Sequence, residues 1–126
     1  MSVSKVLMKD ILPSGADLTG ALFKFVKINS SGQLVLPGTS GDQVYGVVSE
    51  VPAAAATGTP TTVDVIGIVK VEAGATVATG ANVMANAAGE AITATAGEAV
   101  AGIARKGGAD GTIIEVLLVH NFNTAA

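Results

Sequence analysis

Residues 61–85 read TTVDVIGIVKVEAGATVATGANVMA, and this stretch decides the fold. Val63, Val65, Ile68, Val69 and Val71 are β-branched, and such side chains fit a pleated, half-buried surface. Gly67 interrupts the run, as glycine does at a bulge or where another backbone comes close. Turns are expected at 72–74 and at Thr79-Gly80, with a second strand over 81–85. No reactive constellation lies here. The stretch is a surface made for packing.

Outward from it the same pattern recurs. VYGVVSEV at 44–51 is a strand interrupted by Gly46, and LFKFVKI at 22–28 alternates so that one face is wet. With the turn NSSG at 29–32 and a return over 33–36, residues 22–36 read as a β-hairpin. The small-residue run PAAAATGTP at 52–60 is an exposed loop. Downstream, strands at 83–85 and 91–94 flank NAAG at 86–89, a second hairpin-like turn. AVAGIAR at 99–105 is a strand containing Gly102, and TIIEVLLV at 112–119 is the most apolar strand, expected at the centre of the sheet. Tyr45-Gly46-Val47-Val48, Ile66-Gly67-Ile68-Val69 and Ala101-Gly102-Ile103-Ala104 share one pattern at unequal spacing, so the chain is no solenoid. They read as strands that bend at glycine where sheets pack closely or a barrel turns a corner. The fold class is mainly β: a small β-barrel or β-sandwich of about nine short strands.

The 126 residues suggest one domain. Its boundaries are an N-terminal arm at 1–13, a β-domain at 14–120 and a C-terminal tail at 121–126. Hydrophobic residues make up 49% but aromatics only 3%, so the core is Ala and Val, and the 16 glycines argue against long helices. Net charge is −3, and the seven Lys and Arg are too scattered for a nucleic-acid footprint. Without cysteine there is no disulfide or thiolate metal site. The N-terminus shows no secretory leader and no apolar run is long enough to span a bilayer, so a soluble chain made in the cytoplasm is expected.

A search for chemistry finds no enzyme site, and no cofactor or metal is expected. The single histidine, His120, ends the last strand and reads as an exposed or capping residue. The acids lie scattered through turns and wet faces with no general acid–base pair. GGADG at 107–111 lacks the Gly-Lys-Ser/Thr ending of a phosphate loop and reads as a flexible turn. Lys106 lies between Arg105 and Gly107, not at the apolar tip of a lipoyl or biotinyl carrier hairpin. ITATA at 92–96 is too short for an ice-binding array. Phe23, Phe25 and Tyr45 are expected in the core, leaving Phe122 as the one aromatic in an exposed position. Met1–Pro13 reads either as a frayed terminus or first edge strand, or as an arm that docks on a partner.

The order Gly-Val-Val, then TVDVIGIVKVEAG, then TGANV, a turn with Gly89, VAGIA at 100–104, a Gly-rich turn and IEVLL at 114–118 resembles the small capsid decoration (head cement) proteins of tailed bacteriophages, in particular a group long classed as a domain of unknown function. The resemblance covers about Val44 to Val119. It implies a tulip-like or barrel-like β-domain that binds the outside of an expanded head, often as a homotrimer, and clamps neighbouring major capsid protein subunits. It implies a virion protein with no nucleic acid or membrane as partner and no catalytic residue to carry over. The arm becomes the capsid contact, with Val3, Val6, Leu7, Lys9 and Ile11 as its binding residues. The competing expectation is another β-rich assembly component of a tail, fibre or surface layer.

Overall fold

A computed structural model describes residues 5–119. They form β1 (Lys5–Pro13), β2 (Phe25–Ile28), β3 (Leu34–Val35), β4 (Gly46–Glu50), β5 (Pro60–Glu72), β6 (Asn82–Ala85), β7 (Ala91–Thr93), β8 (Gly102–Lys106) and β9 (Ile113–Leu118). No helix occurs among them. The strands join in one curled, open antiparallel sheet, a half-barrel in the order β3-β2-β4-β5-β9-β8-β6-β7, with β1 on β5. The expected mainly-β, barrel-like fold of about nine short strands is therefore what the chain adopts. β5 is the longest strand, and β9 lies at the centre beside it.

The strand order reads alike from both ends because the two halves of the sheet repeat one pairing scheme. In one half β2 pairs β3 and β4, and β4 pairs β5; in the other β6 pairs β7 and β8, and β8 pairs β9. The register agrees residue by residue. Phe25↔Val47 and Val26↔Gly46 match Asn82↔Ile103 and Val83↔Gly102. Lys9↔Asp64 and Asp10↔Val63 on β1–β5 match Ile68↔Leu117 and Val69↔Val116 on β5–β9. Even the irregularities repeat, at Val48/Glu50 and at Ala104/Lys106. β5 thus closes the first half with its N-terminal portion and opens the second with its C-terminal portion.

The same side chains build both hairpin turns. The Asn29 Oδ1 accepts from the Ser31 and Gln33 N–H groups at 2.9 Å each, and Asn86 Oδ1 accepts from Ala88 and Glu90 at 3.0 and 2.9 Å. An Asn side chain that closes its own turn in this way fixes the hairpin register. Gly46 and Gly102 also correspond. A β-carbon at Gly46 would collide with the Asp64 carbonyl, and one at Gly102 with the Leu117 carbonyl. Of the two expected reasons for these glycines, packing between sheets or a barrel corner, the first does not apply: the close neighbour is the adjacent strand of the same sheet. Gly67 adds a φ of 125° and lies against the Lys5 carbonyl, a conformation only glycine adopts cheaply.

Two buried clusters follow from the repeated pairing. Leu18, Ala21, Val26, Leu34, Val48, Val63 and Val65 fill the first half. Their counterparts Val77, Val83, Ala91, Ala104, Val116 and Leu118 lie in the second-half cluster, with Ala81 packed against it. That cluster also takes in Phe25 and Val47, which point away from the first-half core because successive strand residues face opposite sides. The second half therefore packs its core onto the back of the first.

The halves differ in their connections: the link from β4 to β5 has nine residues, 51–59, where that from β8 to β9 has six, 107–112, and a further insertion lies before β2. Thr19-Gly20-Ala21 matches Thr79-Gly80-Ala81, but Leu22-Phe23-Lys24 then intervenes before β2 and has no counterpart before β6. The strand expected from residue 22 accordingly starts at Phe25. Phe23, expected in the core, is only half-buried, with φ at 61°. A left-handed backbone costs a bulky L-residue roughly 1–2 kcal/mol. It persists because the Phe23 N–H donates to the Val48 carbonyl and its carbonyl accepts from the Glu72 N–H, both at 2.9 Å. Lys24 reaches Glu90 at 3.1 Å and Glu72 at 3.6 Å in the second half. The insertion clasps the seam between the halves.

Candidate functional site

β1 separates its side chains by face. Val6 packs against the second-half cluster and Leu12 against the first-half cluster. Leu7 and Ile11 point outward, 84% and 63% exposed. A bulge explains Leu7. Between Val6 and Met8 the strand spends two steps while β5 takes one, from Gly67 to Ile66, and a bulge re-aims the extra residue. Met8, opposite Ile66, is exposed beside it.

Of the five residues expected to dock, the structure brings Leu7 and Ile11 to the surface and turns Val6 inward. Lys9 is not a free contact: its Nζ lies 2.6 Å from Asp64 Oδ1, and Asp64 is 5% exposed. Burying a carboxylate without a partner is costly, so Lys9 is the counter-ion that lets β1 lie over Asp64. Val3 lies outside the described residues, as do His120 and Phe122. Over residues 5–13 the expected arm is a strand of the sheet, fixed also by the Tyr45 hydroxyl, which donates to Asp10 Oδ2 at 2.7 Å. The neighbouring Asp10 carboxylate raises the Tyr45 phenol above its ordinary value of 10.0, first by this hydrogen bond.

The apolar outer surface extends beyond β1. Ile68 pairs with Leu117, and Leu117 with Ile103. Directly opposed residues share a face, so Ile103, Leu117, Ile68 and Ile66 form a row across β8, β9 and β5 that ends at Met8 and Leu7. Sequence reasoning did not find this row. Its signal was the parity of β5, in which Ile66 and Ile68 fall on the face opposite Val63, Val65, Val69 and Val71.

The geometry suits docking. Among the described residues β1 pairs with β5 alone, so its other edge is open to a further strand. Beside that edge stand exposed apolar side chains. Among the described residues no group of three or more His, Asp or Glu is placed to hold a metal ion. No protein-family model matches this chain, and no curated protein matches its sequence.

Proposed function

We propose that this is a non-enzymatic structural protein that binds the outer surface of a phage capsid and stabilises the mature head by bridging neighbouring major capsid protein subunits. The observation that carries the reading is the open edge of β1 with Leu7 and Ile11 displayed beside it. Such an edge recruits a partner's strand by main-chain hydrogen bonds, and outward side chains add selectivity. Repetition over a lattice makes a small contact sufficient. Binding the mature lattice and not its alternatives stabilises that lattice by differential affinity. Homotrimer formation and a place on the virion surface belong to the proposal through the resemblance in sequence.

The test is co-sedimentation of the purified protein with undecorated, expanded heads. Saturation at a fixed ratio to the capsid subunit is expected. The double variant Leu7→Ser/Ile11→Ser should lose at least about tenfold in affinity while its melting temperature holds. A well-folded protein that ignores heads and binds tails or fibres would move the reading to another virion component. Unchanged binding by the double variant would remove β1 from the contact.

A further inference from the structure

A cavity of about 250 Å³ opens at the seam between the halves, lined by Lys9, Phe23, Ser49, Asp64 and Lys70. Three observations make it more than a surface dent. First, the repeated pairing gives it a comparison. Lys9, Ser49 and Asp64 correspond to Ile68, Arg105 and Leu117 in the second half, so the charged pair Lys9 and Asp64 stands where the sister half has two apolar side chains. Second, Phe23 comes from the insertion that the second half lacks, and its strained backbone is held by hydrogen bonds from both halves. Strain kept at a cavity wall points to use. Third, the charges do not cancel. Lys9 is paired with Asp64 at 2.6 Å, whereas Lys70 has no ion-pair partner among the described residues. Its cross-strand neighbour Glu115 is engaged by Arg105 at 3.3 Å.

We propose that this cavity is a binding site for a single carboxylate group. Lys70 supplies the unmatched positive charge. The Ser49 hydroxyl, 3.4 Å from the Lys9 Nζ, supplies a neutral donor, and the Phe23 ring covers the aliphatic carbons next to the carboxylate. A dianion is disfavoured, because Asp64 already neutralises Lys9 and leaves one net positive charge for the ligand. Clefts between packed halves are where such sites form. The carboxylate can come from a partner protein's Glu or Asp side chain or from a free small acid. The site does not depend on what the protein binds through β1.

The test is an NMR titration of the full chain at constant ionic strength. Its three phenylalanines and one tyrosine keep the ring spectrum sparse, so Phe23 is a direct probe. The probes are N-acetyl-glutamate α-amide, acetate and, as the control for plain screening, chloride. A saturable shift of the Phe23 ring below about 10 mM is expected, at least tenfold weaker in Lys70→Met and weakened in Ser49→Ala. Acetyl-glutamate amide binding tenfold tighter than acetate assigns the site to a protein side chain. Equal binding assigns it to a free acid. Shifts no different from those with chloride, or unchanged in Lys70→Met with the fold intact, would overturn the proposal.

Discussion

Phe23 offers a direct measure of stored strain. At an ordinary surface position Gly is less stable than Ala, because it loses more backbone freedom on folding. At φ 61° the order reverses. Phe23→Gly and Phe23→Ala both lose the ring, but only the glycine variant loses the strain. Urea denaturation should find Phe23→Gly the more stable by about 1 kcal/mol; the opposite order would show that the backbone is relaxed there. This residue also marks how far the sequence is readable. The alternation in LFKFVKI is a sound strand signal, yet Phe23 and Phe25 fare differently, the first lining a seam and the second fully buried. Periodicity reports which positions alternate. It does not report that three residues are inserted relative to a sister half. The turn residues Asn29 and Asn86, the interrupting glycines and the β-branched core of β5 were legible because each acts locally, through its own backbone. The partners of Lys9 and Lys24 were not, because Lys9 meets Asp64 across 55 residues and Lys24 meets Glu90 across 66.

At the scale of elements, β1 is both a docking candidate and a structural strand, and its two faces should respond oppositely. Val6→Ser places a hydroxyl against the second-half cluster and should cost about 1–3 kcal/mol. Leu7→Ser one residue later should stay within about 0.5 kcal/mol. Chemical denaturation of the pair checks this, and equal losses would mean that Leu7 is packed. For the same reason, deleting residues 2–9 is a poor test of docking, since it strips Val6 from the core and leaves Asp64 without its cation. The hairpin β6–β7 makes a second prediction through its turn. Asn86 donates to Glu90 Oε1 at 3.1 Å, and Lys24 lies at 3.1 Å from the other carboxylate oxygen. The Asn86 hydrogen bond first, then that from Lys24, lowers the Glu90 carboxyl below its ordinary value of 4.5. A carboxyl with a depressed folded-state pKa stabilises the fold above the unfolded value and loses that contribution as pH falls through the folded one. Thermal melts of wild type and Glu90→Gln should therefore differ at neutral pH and converge on acidification below 4.5. A gap that persists in acid would mean that Glu90 acts by packing alone.

Over the whole molecule the question is whether two halves of common design melt as one. Each has its own cluster, which allows separate unfolding. Against that stand the continuity of β5, the Phe23 and Lys24 clasp, and above all Phe25 and Val47, first-half residues embedded in the second-half cluster. With Phe25 and Val47 inside its core, the second half cannot keep its packing once the first has unfolded. One cooperative transition is expected. Leu34→Ala and Ile114→Ala place a cavity in the first-half and second-half clusters respectively, and each should lower stability by about 2–5 kcal/mol. Tyr45, the chain's one tyrosine, packs against the first-half cluster, so its fluorescence reports that half while far-UV circular dichroism reports both. The two signals should fall together in both variants. If Leu34→Ala instead separates them, with Tyr45 changing before the sheet signal, the seam is weak. The halves would then be independent folding units joined by a shared strand.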